Sequence, residues 1–196
     1  ATGSHRNSTP EELDIILGKE VHARYRVHMH DCKSEHNRFI GTSSTGLDMY
    51  INDILLDSDF VITTGLISPH HSAGFSGGRK SILPGMAGLQ TLKTHHSLPI
   101  RPFEPAMGWL EGNPFHITAL EAARMVGVDF IINVVQDTHK RNVACVSGAL
   151  EAAHEAGVAI CREHNTIKVN TPGNVIIASP RGTPRDSDLY QSQKAL

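Results

Sequence analysis

Between residues 70 and 96 the chain gathers side chains able to move protons, hold a metal or form a covalent bond: His70, His71, Lys80, His95 and His96, with Gly74, Gly77 and Gly78 among them. Imidazole carries protons near neutral pH and ligates borderline metals. A lysine amine anchors a cofactor covalently or by charge, and glycines let a backbone close on a bulky ligand. The octet GFSGGRKS, residues 74–81, looks at first like a phosphate-binding loop. That pattern, G-x-x-x-x-G-K-[ST], requires glycine directly before the lysine so that the backbone can wrap phosphate oxygens. Arg79 stands there instead, and residues 68–73 separate the loop from the apolar run before it. Nucleotide hydrolysis is therefore disfavoured. What the residues describe by themselves is a ligand loop with a lysine anchor. The plain alternative, a flexible turn with Lys80 in solvent, leaves Gly77 and Gly78 without a clear purpose.

Two pairs of histidines are ambiguous by position. His70 and His71 both follow Pro69, at the carboxyl end of an apolar strand, where α/β sheets place ligands; the ten-residue spacing to Lys80 favours His70. On a helix, His95 and His96 point about 100° apart, so only one of them faces a metal. Arg79 reads either as a ligand of phosphate or carboxylate or as a structural ion-pair residue. His28 and His30 would share a strand face and mimic a metal pair, but an exposed or helix-packed strand is the better reading. Asn113, before Pro114, is placed to shape a turn and cap the helix that follows.

The elements that must position these residues alternate. Thr9-Pro10-Glu11-Glu12 is a capping box with proline at the first helical position, predicting a helix to Leu17 that stops at Gly18. Residues 26–31 alternate weakly, as a strand would. Residues 47–56 are apolar at helical spacing. Residues 60–67 are a β-branched run, a buried parallel strand. Helices are predicted over 85–96, 115–126 and 149–164, and strands over 130–135, 143–146 and 174–178. This order predicts an α/β fold, a mainly parallel sheet flanked by helices (Rossmann-like). Residues 1–170 would form the cofactor-binding α/β domain, cut short at its N-terminal side. Residues 171–196 would form a hinge and the start of a second α/β domain.

Composition narrows the class. The chain has 196 residues and a formal net charge of −2, with charged residues at 19% and aromatics at 5%. Neither a basic footprint for nucleic acid nor base-stacking platforms follow from that balance. No apolar run reaches bilayer-spanning length. Three separated cysteines without a C-x-x-C pair predict a reduced, cytoplasmic protein with no thiolate zinc site. Thirteen histidines shift the expectation towards catalysis.

PHHSAGFSGGRKSILPG, residues 69–85, resembles the signature loop of the nickel-pincer lactate racemases and their 2-hydroxyacid racemase and epimerase relatives. ATGSHR at residues 1–6, Glu111-Gly112-Asn113-Pro114, and Leu189-Tyr190-Gln191 with Lys194 fit the same family in order. The resemblance implies an isomerase that racemises or epimerises a 2-hydroxy acid, lactate by default. It implies a nickel ion held in a pyridinium mononucleotide pincer, tied to Lys80 through a thioamide, with His96 completing the metal site. Gly77, Gly78 and Arg79 would help bind that cofactor. By the same resemblance His5 and His70 are the catalytic acid and base, and Tyr190, Gln191 and Lys194 meet the substrate. The implied partners are a small 2-hydroxy acid and the enzymes that make the cofactor, with no nucleic acid and no membrane. Family segments carrying an upstream aspartate, threonine and arginine and most of a second domain are not in these 196 residues, so the chain is expected to be partial and inactive by itself. The alternative function is a non-catalytic nucleotide- or metal-binding α/β module that kept the glycine-rich loop.

Overall fold

The computed structural model describes residues 2–171, 173–180, 182–183, 186–187 and 189–192, with backbone alone at 190 and 191. The chain divides into two compact units, Ala1–Asn165 and Thr166–Leu196.

The first unit opens with α1 (Pro10–Leu17) and α2 (Lys19–Arg24). The capping box forms as its spacing dictates: the Thr9 hydroxyl accepts from the Glu12 amide at 3.3 Å, and the Glu12 carboxylate accepts from the Thr9 amide at 2.9 Å. Neither helix buries a residue. Residues 26–31 are not a strand; the His30 ring is buried and ties this stretch to the Ala87 carbonyl.

A hairpin follows, β1 (Asn37–Thr42) with β2 (Asp48–Asn52), and then the single turn α3 (Asp53–Leu56). The helix predicted over 47–56 is thus half strand. Met49 and Ile51 alternate with exposed Asp48 and Tyr50 and enter the core. The same apolar residues satisfy helical and alternating spacing over so short a run, and pairing with β1 decides between them.

The central sheet is β3 (Ile62–Ile67), β6 (Phe130–Gln136) and β7 (Asn142–Gly148), in the order β3-β6-β7. The β3–β6 pair is parallel, with Ile62 opposite Phe130 and Ile67 opposite Val135; β6–β7 is antiparallel. The fold is mixed α/β, with its one parallel pair at the site end. Between β3 and β6 run the small hairpin β4 (Pro69–His70) with β5 (Gly74–Phe75), a 3-10 turn (Gly78–Ser81), α4 (Leu89–His95) and α5 (Pro114–Val126). Helix α4 starts at Leu89, later than predicted, because residues 85–87 are held in turns by amide-to-carbonyl bonds from Gly85 to Lys80 and Met86 to Ile82.

Helix α6 (Leu150–Asn165) buries Leu150, Ala153, His154, Gly157, Val158 and Cys161, a stripe at helical spacing. One core cluster joins β2, α4 and α5 through Met49, Ile51, Leu92 and Ala119; a second joins β3, β6 and α6 through Ile67, Val135 and Val158. Ile82 and Leu83 are buried in the first cluster, so the backbone just after Lys80 is fixed by packing.

In the second unit the described residues hold one short helix, α7 (Leu189–Ser192). The strand predicted over 174–178 does not form there, and Val175, Ile176 and Ile177 are exposed. Among the described residues no helix is long and apolar enough to cross a membrane.

Candidate functional site

The loop from His70 to Leu83 is pinned at each end by groups distant in sequence. Asn113 caps α5, its side-chain oxygen accepting from the amides of Phe115 (2.9 Å) and His116 (3.3 Å). Its amide nitrogen donates to the carbonyls of Ser72 and Trp109, both at 2.9 Å, so the helix start also holds the loop. Gly77 and Gly78 have φ of 81° and 51°, values that favour glycine. A side chain at Gly77 would overlap the Asn133 carboxamide, and one at Gly78 would come within 3.0 Å of the His154 ring. The Gly78 amide donates to Asn133 Oδ1 at 2.8 Å. These glycines therefore have a packing purpose against β6 and α6, and neither lines the hollow that holds Lys80.

Arg79 turns inward and Lys80 does not, since successive residues of a 3-10 turn point about 120° apart. Arg79 is 1% exposed. It donates to the Ala73 carbonyl (2.7 Å), to the Gly77 carbonyl (3.3 Å) and to His154 Nε2 (2.9 Å), while its Nε has no partner. Burial pushes its pKa down to about 9. None of these contacts is a carboxylate, so the ion-pair reading fails. Arg79 staples the loop through carbonyl dipoles and one imidazole. His154 Nε2 also lies 3.0 Å from the Ser76 carbonyl, so one ring nitrogen faces both a donor and an acceptor; burial first, and the Arg79 charge second, lower the His154 pKa to about 4.

Lys80 opens onto a hollow of about 470 Å³ shared with His5 and His96. The wall is completed by Thr2, Gly3, Ser4, Pro84, Gly85 and one face of α4: Leu89, Leu92, Lys93 and His96. No acidic residue lines it. Gly3 is held there by its amide bond to the Gly85 carbonyl at 2.9 Å, which is how residues at the chain start reach the signature loop.

The His95–His96 ambiguity resolves through hydrogen bonds. His95 is fully buried beneath Phe115, ring centroids 3.8 Å apart, and its Nε2–H donates to the Phe115 carbonyl at 3.1 Å. Burial lowers its pKa to about 3, so it is a neutral core residue. His96 donates from Nδ1 to the Leu92 carbonyl at 3.0 Å. A carbonyl accepts only, so the proton sits on Nδ1 and the lone pair on Nε2, the tautomer a metal ligand needs. Burial, and then the charges of Lys80 and Arg101, lower the His96 pKa, and a ligand must be neutral to bind.

His70 does not line the hollow. Phe115 is the neighbour it shares with His96, with ring centroids 6.4 Å from His70 and 5.1 Å from His96. His70 Nδ1 accepts from the amides of Ser72 (3.2 Å) and Ala73 (3.1 Å), which puts its proton on Nε2. His71 stacks on His70 at 4.6 Å. Lys194 and the side chains of Tyr190 and Gln191 lie outside the described residues.

A second hollow, of about 600 Å³, holds His28, His30 and His36 with Asp31, Asp53 and Asp57. Among the described residues no three His, Cys, Asp or Glu converge as a metal cage. Sequence reading missed His154 and Lys93. Their signals were a histidine on the buried stripe of α6 and a lysine one turn before His96.

Residues 1–108 match the family described as the lactate racemase N-terminal domain. The chain is 37% identical to the lactate racemase of Thermoanaerobacterium thermosaccharolyticum and 35% identical to that of Lactiplantibacillus plantarum, in each case over 100% of this chain and 46% of the relative. The chain thus spans about half the length of the curated relatives it matches. The solved lactate racemase apoprotein of T. thermosaccharolyticum superposes with a TM-score of 0.91 at 36% identity, covering 98% of this chain and 46% of the other. A Thermotoga maritima protein shares the fold, with a TM-score of 0.71 at 23% identity over 88% of this chain and 47% of its own. By the match over more than half its length, the chain belongs to the lactate racemase N-terminal domain family.

Proposed function

We propose that this chain is the cofactor-bearing part of a racemase or epimerase of a 2-hydroxy acid, lactate by default. The observation that carries this reading is the acid-free hollow onto which Lys80, His5 and His96 all open. The residues fit a nickel-pincer pyridinium nucleotide. Lys80 would tether it, and His96, its Nε2 lone pair exposed by the Nδ1–H bond to Leu92, would give the one protein ligand to nickel. When bound, the group supplies an acceptor for the hydride on the substrate's hydroxyl-bearing carbon, whose C–H is far too weak an acid for direct proton removal.

This chain's own work is binding and proton transfer. His5, exposed at the hollow's edge, takes the hydroxyl proton. His70 is proposed as the second histidine of the acid–base pair. Lys93 makes the hollow attractive to a carboxylate. Tyr190, Gln191 and Lys194 are proposed to bind the substrate. Cofactor-making enzymes in the cytoplasm would load Lys80.

The test is intact-mass analysis of the chain, and of a full-length protein containing it, after co-expression with cofactor-making enzymes. A nickel-containing adduct on Lys80, together with interconversion of lactate enantiomers by the full-length protein, is expected. A full-length protein that racemises nothing and carries no adduct would refute the proposal and leave a binding module.

A further inference from the structure

Histidines of the signature loop and of α4 converge on one side chain, Phe115, the second residue of α5. Phe115 is fully buried. Its ring centroid lies 3.8 Å from that of His95, 5.1 Å from that of His96 and 6.4 Å from that of His70. The imidazoles of His96 and His70 are therefore closer to each other than the sum of the last two separations, although His70 does not line the hollow.

The backbone around Phe115 ties the same pieces together. Its amide donates to Asn113 Oδ1 at 2.9 Å, and its carbonyl accepts from His95 Nε2 at 3.1 Å. Asn113 also donates to the Ser72 carbonyl at 2.9 Å, and the Ser72 amide donates to His70 Nδ1 at 3.2 Å. Residues 113–115 thus grip the end of α4 on one side and the His70 turn on the other.

A metal ligand needs the right angle as well as the right tautomer. The Nδ1–H bond to the Leu92 carbonyl sets the His96 tautomer, but one hydrogen bond lets a ring swing about its axis. The Phe115 ring stands at 90° to that of His96, the edge-to-face arrangement that aromatic rings favour, and blocks the swing. Towards His70 the same ring presents a wall inclined by 29°. A flat ring with two side-chain torsions holds both neighbours in register, which a flexible aliphatic chain in the same volume would not.

Resting on the function proposed above, we infer that Phe115 is a positioning residue, whose ring fixes the angle of the His96 imidazole and its placement relative to His70. Misplacing one reacting group by about 1 Å costs about 100-fold in rate, so a ring shared by a metal ligand and an acid–base histidine controls both.

Phe115→Met, which keeps the volume and loses the ring, and Phe115→Leu are compared with Val158→Ala. The last opens the second core cluster, buried under α6 and away from the histidines. Each chain is loaded by co-expression with cofactor-making enzymes, and the rate at which EDTA strips its nickel is measured beside its urea midpoint. Both Phe115 variants should release nickel about tenfold faster or more, whereas Val158→Ala should lower the urea midpoint and leave the release rate unchanged. In the full-length protein the Phe115 variants should lower kcat for lactate racemisation about 10- to 100-fold with KM within about twofold. Nickel release and kcat unchanged in both Phe115 variants overturn the inference. So does a Val158→Ala effect as large as theirs, which would make the loss a general loosening, or a raised KM with kcat intact. Absence of adduct and nickel from the unsubstituted full-length protein refutes the function itself. An adduct present, with nickel release indifferent to Phe115, refutes only the positioning role.

Discussion

Two histidine-bearing hollows meet the chain at residues 84–86, with Pro84 and Gly85 lining one and Met86 the other. Their histidines differ in the charge around them and, for His30 and His96, in what the ring nitrogens have left to give. In the acid-lined hollow His30 spends both: Nε2–H donates to the Ala87 carbonyl and Nδ1 contacts the Asn52 amide at 3.3 Å. His36 Nδ1 meets Asp53 at 3.1 Å. In the acid-free hollow His96 uses Nδ1 alone and keeps a lone pair at Nε2. Histidine density therefore does not separate the hollows; the sign of the surrounding charge does, with Asp31, Asp53 and Asp57 lining one and Lys80 and Lys93 the other.

The sharpest break between the hollows is expected at Lys80. Lys80→Ala should abolish the covalent adduct altogether, whereas His28→Gln across the wall should leave the adduct mass untouched; mass spectrometry of both variants checks this. Next comes His96→Ala, for which nickel retained after gel filtration should fall about 100-fold or more, with His36→Gln unchanged by metal analysis.

A smaller effect separates buried from open imidazoles. His95 and His154 are buried, with pKa lowered to about 3 and about 4. As pH falls below 6.5 the unfolded chain binds these protons and the folded chain does not, so stability is full above that value and is lost towards the folded pKa values. Each should cost at most about 2 kcal/mol between pH 6.5 and 5, seen as a falling urea midpoint. A flat profile would mean that the rings are solvated. Last, His154→Leu removes the imidazole that meets Arg79 and the Ser76 carbonyl and should lower stability by about 1–3 kcal/mol, measured by denaturant titration at neutral pH, while leaving Lys80 in place.

Much of this was legible in the residues. The Thr9 box, the Asn113-Pro114 cap and the apolar runs at 60–67 and 130–135 are local signals; both caps formed, and the runs became β3 (Ile62–Ile67), exposed at alternate residues, and β6 (Phe130–Gln136). Failures came where the partner was remote. Residues 47–56 carry spacing that fits helix and strand alike, and β1 settles it. Residues 26–31 alternate, but a buried imidazole bond replaces pairing. At the candidate site, the sequence singled out Lys80 and two histidine pairs, favoured His70 by its spacing and left His95 and His96 open. That choice rests on which carbonyl each ring meets, Phe115 for His95 and Leu92 for His96. Arg79 misled for a related reason: its partners are loop carbonyls and a histidine 75 residues away, and no local pattern encodes those.

Asn113 has one further implication. Its carboxamide is fully subscribed, two amides into the oxygen and two carbonyls from the nitrogen. Aspartate, ordinarily as good a residue at a helix start, would keep the first pair and set a lone pair against each of the other two oxygens. Position 113 thus tells an amide from its isosteric acid, and an Asn113→Asp substitution would loosen the segment around His70 while leaving the α5 cap in place.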